Sequence, residues 1–295
     1  MPSEGIKTLS HVDILSYEEI CFVARAAAEL GINKVRITGG EPLVRASLIN
    51  LVQMLAEVKG IDDISLTTNG LLLAQYAKEL KTAGLKRVNI SLDSLRPQRF
   101  EQITRIGKLE AVLRGIEEAG EAGLHPIKIN MVVMRGINDE EIVDFARKTV
   151  EESWHVRFIE FMPIGKEQNG ERFMPVSEIT ERIESLGSLE PDKLDGNGPA
   201  RYFRLPRAKG TIGFISPVSE HFCFKCNRLR LTAEGNLRPC LLSDEEIDLR
   251  GPIRQGASVD EIKSLLKQAT EAKPEGHKLQ GGTTARNRTM CQIGG

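Results

Sequence analysis

Short apolar segments with a strand pattern alternate with helical patterns through the first half of the chain, and this order limits the fold more than any other feature. Strands that alternate with helices at short, regular spacing predict βαβ units. Parallel strands need a crossover connection, which the helices supply, so a parallel sheet follows. Right-handed crossovers curl such a sheet towards a barrel or an open doubly wound sheet. The predicted strands are residues 34–38, 64–68, 87–92, 127–134 and 156–161.

Capping residues mark where several of the intervening helices begin and end. Ser16 and Glu19 have the spacing of a capping box, and Gly31 ends the helix that they begin. Asn138 is predicted to cap a helix that runs to about Val150. The chain opens with the first of these helices and has no strand pattern before it. We therefore expect an α/β fold, an incomplete parallel (β/α) barrel without its first strand.

The pattern changes after residue 163, where polar and Gly/Pro-rich stretches replace the regular alternation. Short strands and a hairpin are typical of an α+β arrangement. We predict two regions, an incomplete barrel over residues 1–163 and a C-terminal extension over 164–295. The expected elements of the extension are a short helix from Ser177, antiparallel strands at 202–205 and 211–215, a hairpin of 229–232 with 237–241, and a helix over 259–269.

Composition excludes several classes of function. A net charge of −1 over 295 residues gives no overall attraction to nucleic acid or to a membrane surface. No apolar run is long enough to span a bilayer, and no signal pattern is present, so a cytoplasmic protein is expected. The cysteine count, 5, is odd and three of the cysteines cluster, a pattern that in a cytosolic protein favours metal binding over disulfides. Cys21 lies in an apolar helical stretch and is predicted to be a buried core thiol.

Cys223-x-x-Cys226, with Cys240 thirteen positions beyond the pair, is the strongest metal signal in the sequence. Two thiolates on one turn can bind one metal, and the predicted hairpin can bring the third close. One interpretation is a structural zinc site with His221 as the fourth ligand. The other is an iron–sulfur cluster held by three cysteines, with one iron open. Spacing alone leaves both interpretations open.

A second signal is Gly39-Gly40, which follows the first predicted strand. Glycines at a strand end let a ligand approach the backbone, although an ordinary βα turn has the same pattern. Several cations lie at strand ends or beside the cysteines. Together they would suit a polyphosphate, and singly they would be solvated surface charges. They are Lys34, Arg36, Lys128, Arg157, Arg228 and Arg230.

Six segments, together with the final Gly-Gly, resemble the GTP 3′,8-cyclases, which are radical-SAM enzymes of molybdenum cofactor biosynthesis. The likeness extends over essentially the whole chain, and the cysteine set with Asn-Arg-Leu-Arg is its most specific part. The segments are Thr-Gly-Gly-Glu-Pro-Leu-Val-Arg (38–45), Ser-Leu-Thr-Thr-Asn-Gly (65–70), Asn-Ile-Ser-Leu-Asp-Ser-Leu (89–95), Val-Arg-Phe-Ile-Glu-Phe-Met-Pro (156–163), Cys-Phe-Lys-Cys (223–226) and Asn-Arg-Leu-Arg-Leu-Thr (227–232).

The resemblance implies conversion of GTP and S-adenosylmethionine to cyclic 3′,8-dihydro-GTP, the first step of molybdopterin synthesis. It also implies an electron donor, a downstream cyclic pyranopterin synthase and a homodimer, and it favours iron–sulfur over zinc. It identifies no catalytic residue. The implied S-adenosylmethionine contacts are Gly40, Ser91 and Met162; the GTP contacts are Arg36, Thr67, Lys128, Arg228 and Arg230; the [4Fe–4S] ligands are Cys223, Cys226 and Cys240.

One departure from the family pattern concerns a second [4Fe–4S] cluster. The family has Cys-x3-Cys-x2-Cys just before a Met-Pro…Glu-Gly segment, which matches residues 1–5, where this sequence begins. We therefore expect the sequence as given to lack the ligands needed to cleave S-adenosylmethionine, and to be inactive without them. The alternatives are a non-catalytic fragment that binds GTP and one cluster, and a zinc-stabilised structural barrel.

Overall fold

The computed structural model describes residues 9–105, 107–162, 170–194, 198–220, 222–276 and 288. The predictions for residues 1–5, His221 and the final Gly-Gly lie outside this part of the chain. The chain divides into two compact units, which we call the terminal unit (residues 1–67, 78–86 and 228–295) and the central unit (68–77 and 87–227). The central unit runs through residue 163, and the boundary proposed there stays a prediction.

Helices and strands alternate as the sequence predicts, and every predicted strand of the first half is present. In chain order the elements are α1 (Tyr17–Glu29), β1 (Lys34–Ile37), α2 (Leu48–Ala56), β2 (Asp63–Thr68), α3 (Leu73–Thr82), β3 (Arg87–Ser91), α4 (Pro97–Thr104), α5 (Leu109–Glu121), β4 (Lys128–Val133), α6 (Ile142–Glu151), β5 (His155–Glu160), α7 (Val176–Glu184), β6 (Glu190–Asp192), β7 (Arg201–Arg204), β8 (Ile212–Ile215), β9 (Arg230–Leu231), β10 (Asn236–Arg238), β11 (Ile247–Asp248), α8 (Arg250–Arg254) and α9 (Val259–Glu271).

The central unit is built on a mostly parallel sheet with the strand order β3-β4-β5-β8-β7-β6. β3, β4, β5 and β8 are parallel, and β7 and β6 continue the sheet in antiparallel fashion. The predicted antiparallel pairing of β7 with β8 is confirmed. No local pattern indicates that β8 also pairs with β5, because that contact joins segments more than fifty residues apart. The α/β fold class is confirmed.

The terminal unit combines both ends of the sequence. It holds the parallel pair β1–β2 and a small antiparallel sheet with the order β11-β10-β9. Val23 and Ala26 of α1 share an apolar core with Ile262 and Leu266 of α9 and with Leu237 of β10. The C-terminal hairpin and last helix therefore fold together with the first helix.

Polar contacts reinforce this packing between the ends of the sequence. Ser16 and Glu19 form the predicted capping box of α1. Arg254, which ends α8, donates from Nε to Glu19 Oε1 at 2.9 Å and from Nη1 to the Val12 carbonyl at 2.6 Å. Cys21 is 2% exposed in α1, which confirms the prediction of a core thiol, and burial raises its pKa. In the described residues, every helix is too short or too polar to cross a bilayer.

Candidate active site

One face of the central sheet carries polar side chains on three adjacent strands, and we call it the polar face. In a parallel ladder, residues that are partners in register point to the same side, and side chains alternate along each strand. Asn89 is the partner of Lys128, Ser91 of Asn130, and Asn130 of Arg157. The opposite face of these strands is buried and, apart from Glu160 at the end of β5, apolar. The polar face comprises Arg87, Asn89, Ser91, Lys128, Asn130, His155 and Arg157.

Three cations of the polar face are almost completely removed from water. Lys128 and Arg157 are each 3% exposed, and Arg87 is 8% exposed. Arg157 Nη2 donates to Asn89 Oδ1 at 2.7 Å. Arg157 Nε and Asn130 Oδ1 are buried with no hydrogen-bond partner in the described part of the protein. A buried donor such as Arg157 Nε is costly to fold without an acceptor, and an anionic ligand could accept from it, whereas Asn130 Oδ1 needs a donor.

Gly213 of β8 provides room beside these cations. It is the register partner of both Arg157 on β5 and Tyr202 on β7. A Cβ at Gly213 would lie 2.9 Å from Tyr202 Cε1 and 3.0 Å from Arg157 Cγ, which is too close for unchanged packing. Lys128 Nζ lies 5.7 Å from the centroid of the Tyr202 ring, within range of a cation–π contact. The absence of a side chain at Gly213 therefore lets Tyr202 pack against the two cations.

Burial shifts the pKa of two titratable groups on or beside the polar face. Desolvation, assisted by the charge of Lys128, lowers the pKa of His155 to about 4, so its imidazole is neutral at physiological pH. Desolvation raises the pKa of Asp93, just beyond β3, to about 6, against the opposing hydrogen bond from the Val132 backbone. Burial also lowers the pKa of Arg157.

The turn that follows Ser91 is fixed by hydrogen bonds from β4 and the loop after it. Asp93 Oδ1 accepts from the Val132 N–H at 2.8 Å. Asn138 Nδ2 donates to the carbonyls of Asp93 and Val132, both at 2.9 Å. The prediction that Asn138 caps a helix is wrong: its side chain makes no capping bond, and α6 begins at Ile142 after a 3₁₀ turn. Asn138 instead ties the β3 turn to the end of β4.

The residues expected to contact S-adenosylmethionine lie in different parts of the fold. Ser91 ends β3 with an exposed side chain, and Met162 is half-buried two residues after β5. Both lie at the carboxyl ends of parallel strands, where ligand sites of α/β sheets form. Gly40 belongs to the terminal unit, between β1 and a 3₁₀ turn at Pro42–Val44.

Two of the expected GTP contacts lie on the β1–β2 pair. Arg36 on β1 is the register partner of Ser65, and Thr67 lies two residues farther along the same face of β2. Arg36 is exposed and Thr67 is half-buried. Lys34 Nζ, also on this face, lies 4.0 Å from Asp63 Oδ2. The pair thus presents one polar side, as the central sheet does.

The other two expected GTP contacts, Arg228 and Arg230, lie at the C-terminal hairpin. The hairpin strand predicted over 229–232 is shorter in the structure, because β9 covers only Arg230–Leu231, so Arg228 precedes the strand and does not share it with Arg230. Lys273, just past α9, donates from Nζ to the carbonyls of Arg228 at 2.8 Å and Pro239 at 3.0 Å. This bridge fixes the backbone next to Arg228 against the backbone next to Cys240.

Cys223 and Cys226 share one turn. Cys223–Lys225 is a 3₁₀ turn, and the Cys226 N–H donates to the Cys223 carbonyl at 2.9 Å. Side chains three residues apart eclipse one another in such a turn, so the two thiols point to one side. Cys240 Sγ accepts from the Leu242 N–H at 3.4 Å.

The cysteines suit an iron–sulfur cluster in donor type. All three are partly exposed rather than sealed in the core, and each can supply a thiolate. Among the described residues, no group of three His, Cys, Asp or Glu side chains is close enough to hold a metal ion. The shared turn brings Cys223 and Cys226 near each other in the chain, and the assignment of all three cysteines as ligands stays a prediction.

Five residues of the polar face and its surroundings were not singled out from the sequence. The available signal was the alternation of polar and apolar residues in Arg-Val-Asn-Ile-Ser, Lys-Ile-Asn and His-Val-Arg, which marks one polar side on strands otherwise buried. Tyr202 and Gly213 carry no such signal. Arg157 was named only as a candidate cation. The missed residues are Arg87, Asn89, Asn130, Tyr202 and Gly213.

Comparison with known protein families gives two matches that together span most of the chain. The Radical SAM superfamily matches residues 4–149, and the family Molybdenum Cofactor Synthesis C matches residues 154–279. Among solved structures, Streptococcus suis SuiB bound to S-adenosylmethionine has a TM-score of 0.59 at 15% identity, covering 95% of this chain and 71% of that one. That likeness supports the radical-SAM type of fold.

Relatives of known name agree with both matches. The GTP 3′,8-cyclase of Pelotomaculum thermopropionicum is 52% identical over 299 residues, which cover all of this chain and 92% of the relative. The GTP 3′,8-cyclase of Moorella thermoacetica is 51% identical over 297 residues with the same coverage. The chain therefore belongs to the GTP 3′,8-cyclase family of radical-SAM enzymes.

Proposed function

We propose that the protein converts GTP and S-adenosylmethionine to cyclic 3′,8-dihydro-GTP, the first step of molybdenum cofactor biosynthesis. The observation that carries the proposal is the buried cationic part of the polar face, Lys128 and Arg157 beside Asn89. A triphosphate is a ligand that clustered cations can bind through charge-assisted hydrogen bonds. Family membership supplies the rest of the argument.

The phosphates of GTP are assigned to cations and donors on three elements. Lys128 and Arg157 of the polar face offer buried, charge-assisted hydrogen bonds, which are shorter and stronger than neutral ones. Arg36 and Thr67 offer a guanidinium and a hydroxyl on the β1–β2 pair. Arg228 and Arg230, at the hairpin that leads to Cys240, offer two further guanidinium groups. Arginine suits this role because its planar fork matches phosphate oxygens.

Cys223, Cys226 and Cys240 are proposed to hold a [4Fe–4S] cluster. Three thiolates leave one iron without a protein ligand, and that iron would bind the purine of GTP. The shared turn of Cys223 and Cys226 supports this assignment, since it presents two thiols together. The role of the protein is to present these thiolates and to keep the adjoining arginines in reach of the ribose and phosphates.

S-adenosylmethionine is assigned to Gly40, Ser91 and Met162. The Ser91 hydroxyl can accept and donate a hydrogen bond at the open end of β3, and the backbone at Gly40 can be approached closely. Asp93 and Asn138 hold the turn after Ser91. The radical-SAM superfamily uses a [4Fe–4S] cluster and S-adenosylmethionine to start radical chemistry, and its electron comes from an external donor.

The test uses protein expressed from its complete gene and loaded anaerobically with iron and sulfide. Incubation with GTP, S-adenosylmethionine and dithionite should yield 5′-deoxyadenosine and cyclised GTP, while a Lys128→Met protein should do so only at much higher GTP concentration. Metal analysis of the same samples should find iron and acid-labile sulfide. Zinc in place of iron, or GTP binding without product, would reject the cyclase assignment.

A further inference from the structure

Glu160 is a buried carboxylate with an unusual number of donors. It ends β5, and its side chain is fully buried. Its Oε1 accepts from the Val176 N–H at 3.0 Å and from the Ser219 hydroxyl. Its Oε2 accepts from the N–H groups of Val218 and Ser219, both at 2.9 Å. One carboxylate thus joins the end of β5, the start of α7 and the loop after β8.

The loop after β8 is itself a closed turn. The Glu220 N–H donates to the Ser216 carbonyl at 3.3 Å, and Ser216 Oγ donates to Glu220 Oε2 at 3.1 Å. Glu160 therefore binds a segment that is already ordered by its own hydrogen bonds. Because a buried carboxylate needs its donors and the donors need it, the segment has one favoured position on β5.

This anchored segment leads directly to the cysteine pair. Cys223 follows Ser219 by four residues, which is a short reach, and the Cys223–Lys225 turn begins there. Where the backbone at Ser219 lies therefore sets where the two thiols can lie. The mechanism proposed above makes no use of Glu160, although the residue is one of the most completely buried acids of the central unit.

We propose that Glu160 is a positioning residue for the cluster site, acting through the Val218–Ser219 backbone on the placement of Cys223 and Cys226. This inference rests on the proposed cluster role of the cysteines. Substituting Gln for Glu160 removes one acceptor oxygen and puts an NH2 group against backbone N–H donors. The loop after β8 then loses at least one hydrogen bond to residue 160. The backbone that leads to the two thiols is no longer held in one position.

Glu141 provides a matched control. It is also a fully buried acid of the central unit, and it accepts from Ser94 Oγ at 2.7 Å, the Leu95 N–H at 2.6 Å and Arg99 Nη1 at 2.9 Å. These side-chain partners belong to the segment after β3, and among the described residues none of them lies between 216 and 226. Substituting Gln for Glu141 should disturb the fold to a similar degree without reaching the cysteines.

The experiment compares wild type, Glu160→Gln, Glu160→Asp and Glu141→Gln, all as full-length protein loaded anaerobically. The iron assigned to this cluster is the difference in iron content between wild type and a Cys240→Ala protein. The readouts are the rate at which a chelator removes that iron and the electron paramagnetic resonance spectrum of the reduced protein. Loss of a supporting contact around metal ligands commonly weakens metal binding about 10–100-fold, so Glu160→Gln should release iron at least about 10-fold faster. Glu160→Asp, which keeps both oxygens, should fall between it and wild type.

The outcomes are separable. Faster release and an altered spectrum in Glu160→Gln, with Glu141→Gln like wild type, support the positioning role. Equal release from the two Gln variants, with an unchanged spectrum in both, would overturn it while leaving the cluster in place. Equal iron in wild type and Cys240→Ala would overturn the cluster assignment, and the inference with it. If Glu160→Gln does not fold, release from Glu160→Asp at the wild-type rate likewise overturns the positioning role.

Discussion

Arg157 Nη2 donates a hydrogen bond to Asn89 Oδ1 across 2.7 Å, from β5 to β3, with β4 between them. Both side chains are almost fully buried, at 3% and 1% exposure. The bond fixes one edge of the guanidinium against the sheet, while Nε has no partner in the part of the chain that the structure describes. Arg157 is therefore oriented before any ligand arrives.

Replacing Arg157 with Lys should weaken GTP binding about 10–100-fold, because a point charge cannot both hold Asn89 and pair with phosphate oxygens. Calorimetric titration of loaded protein with GTP measures the change. Arg204→Lys is the control, since Arg204 is an arginine of the same sheet whose Nε instead pairs with Asp192 Oδ2 at 2.7 Å. Equal weakening in both variants would contradict a specific role of Arg157.

Adding a methyl group at Gly213 should displace Tyr202 and Arg157. The new Cβ would meet them at 2.9 and 3.0 Å, so Gly213→Ala should lower stability by about 1–3 kcal/mol and weaken GTP binding several-fold. Gly120→Ala in α5 is the comparison, because its Cβ would find ordinary contact at 3.7 Å from Ile127, and alanine favours a helix. Thermal unfolding and GTP titration separate the two, and unchanged titration of Gly213→Ala would argue against crowding.

Lys273→Met should loosen the backbone between Arg228 and Cys240. Lys273 Nζ bridges the carbonyls of Arg228 and Pro239, and its loss leaves both without that donor. We expect a loss of about 1–3 kcal/mol in urea unfolding and faster release of cluster iron to a chelator. Lys263→Met in α9 is the control, because the contacts of Lys263 with the described residues are side-chain ion pairs, with Glu29 at 2.9 Å and Asp260 at 2.6 Å. Indistinguishable iron release from the two variants would refute the effect.

Asp93→Asn should stabilise the protein at neutral pH. Between about pH 4 and 6 the folded state keeps a carboxyl proton that the unfolded state has released, so stability falls as pH rises through this window. Asparagine stays neutral and can still accept from the Val132 N–H. The variant should therefore gain about 1–3 kcal/mol over wild type at pH 7.5, and the gain should vanish near pH 4. Urea unfolding at several pH values tests this, and a gain independent of pH would exclude titration as the cause.

His155→Asn should have the opposite pH signature. The unfolded imidazole takes up a proton below its ordinary pKa, whereas the folded one resists until about pH 4, so wild-type stability falls as pH falls between about 6.5 and 4. Asparagine lacks this titration. The stability of wild type relative to the variant should therefore decline by about 1–3 kcal/mol from pH 7.5 to 4.5. A constant difference across this range would contradict a buried neutral imidazole.

Local signals in the sequence predicted local structure well. The capping box at Ser16, the strands of the first half and the hairpin around residues 233–236 depend on neighbouring residues, and all are present. The family resemblance predicted the radical-SAM type of fold and the reaction. The prediction that Asn138 caps a helix failed because a side chain suited to a helix cap is equally suited to bridging loop carbonyls.

What the sequence could not predict depends on contacts between distant segments. The polar face becomes a site only when register places Asn89 beside Lys128 and Asn130 beside Arg157. The role of Gly213 depends on Tyr202 and Arg157 from other strands. Glu160 lies within a predicted strand, but its donors come from 16 to 59 residues away. No local pattern encodes such partners.

The packing of α1 against α9 has a consequence for synthesis on the ribosome. The apolar side of α1, with Val23 and Ala26, is completed by Ile262 and Leu266, which are synthesised much later. At typical elongation rates of about 5–20 residues per second, that side remains uncovered for on the order of tens of seconds after α1 leaves the exit tunnel. We expect the nascent chain to depend on a chaperone during this interval, and crosslinking of stalled chains at Val23 should capture one until α9 has emerged.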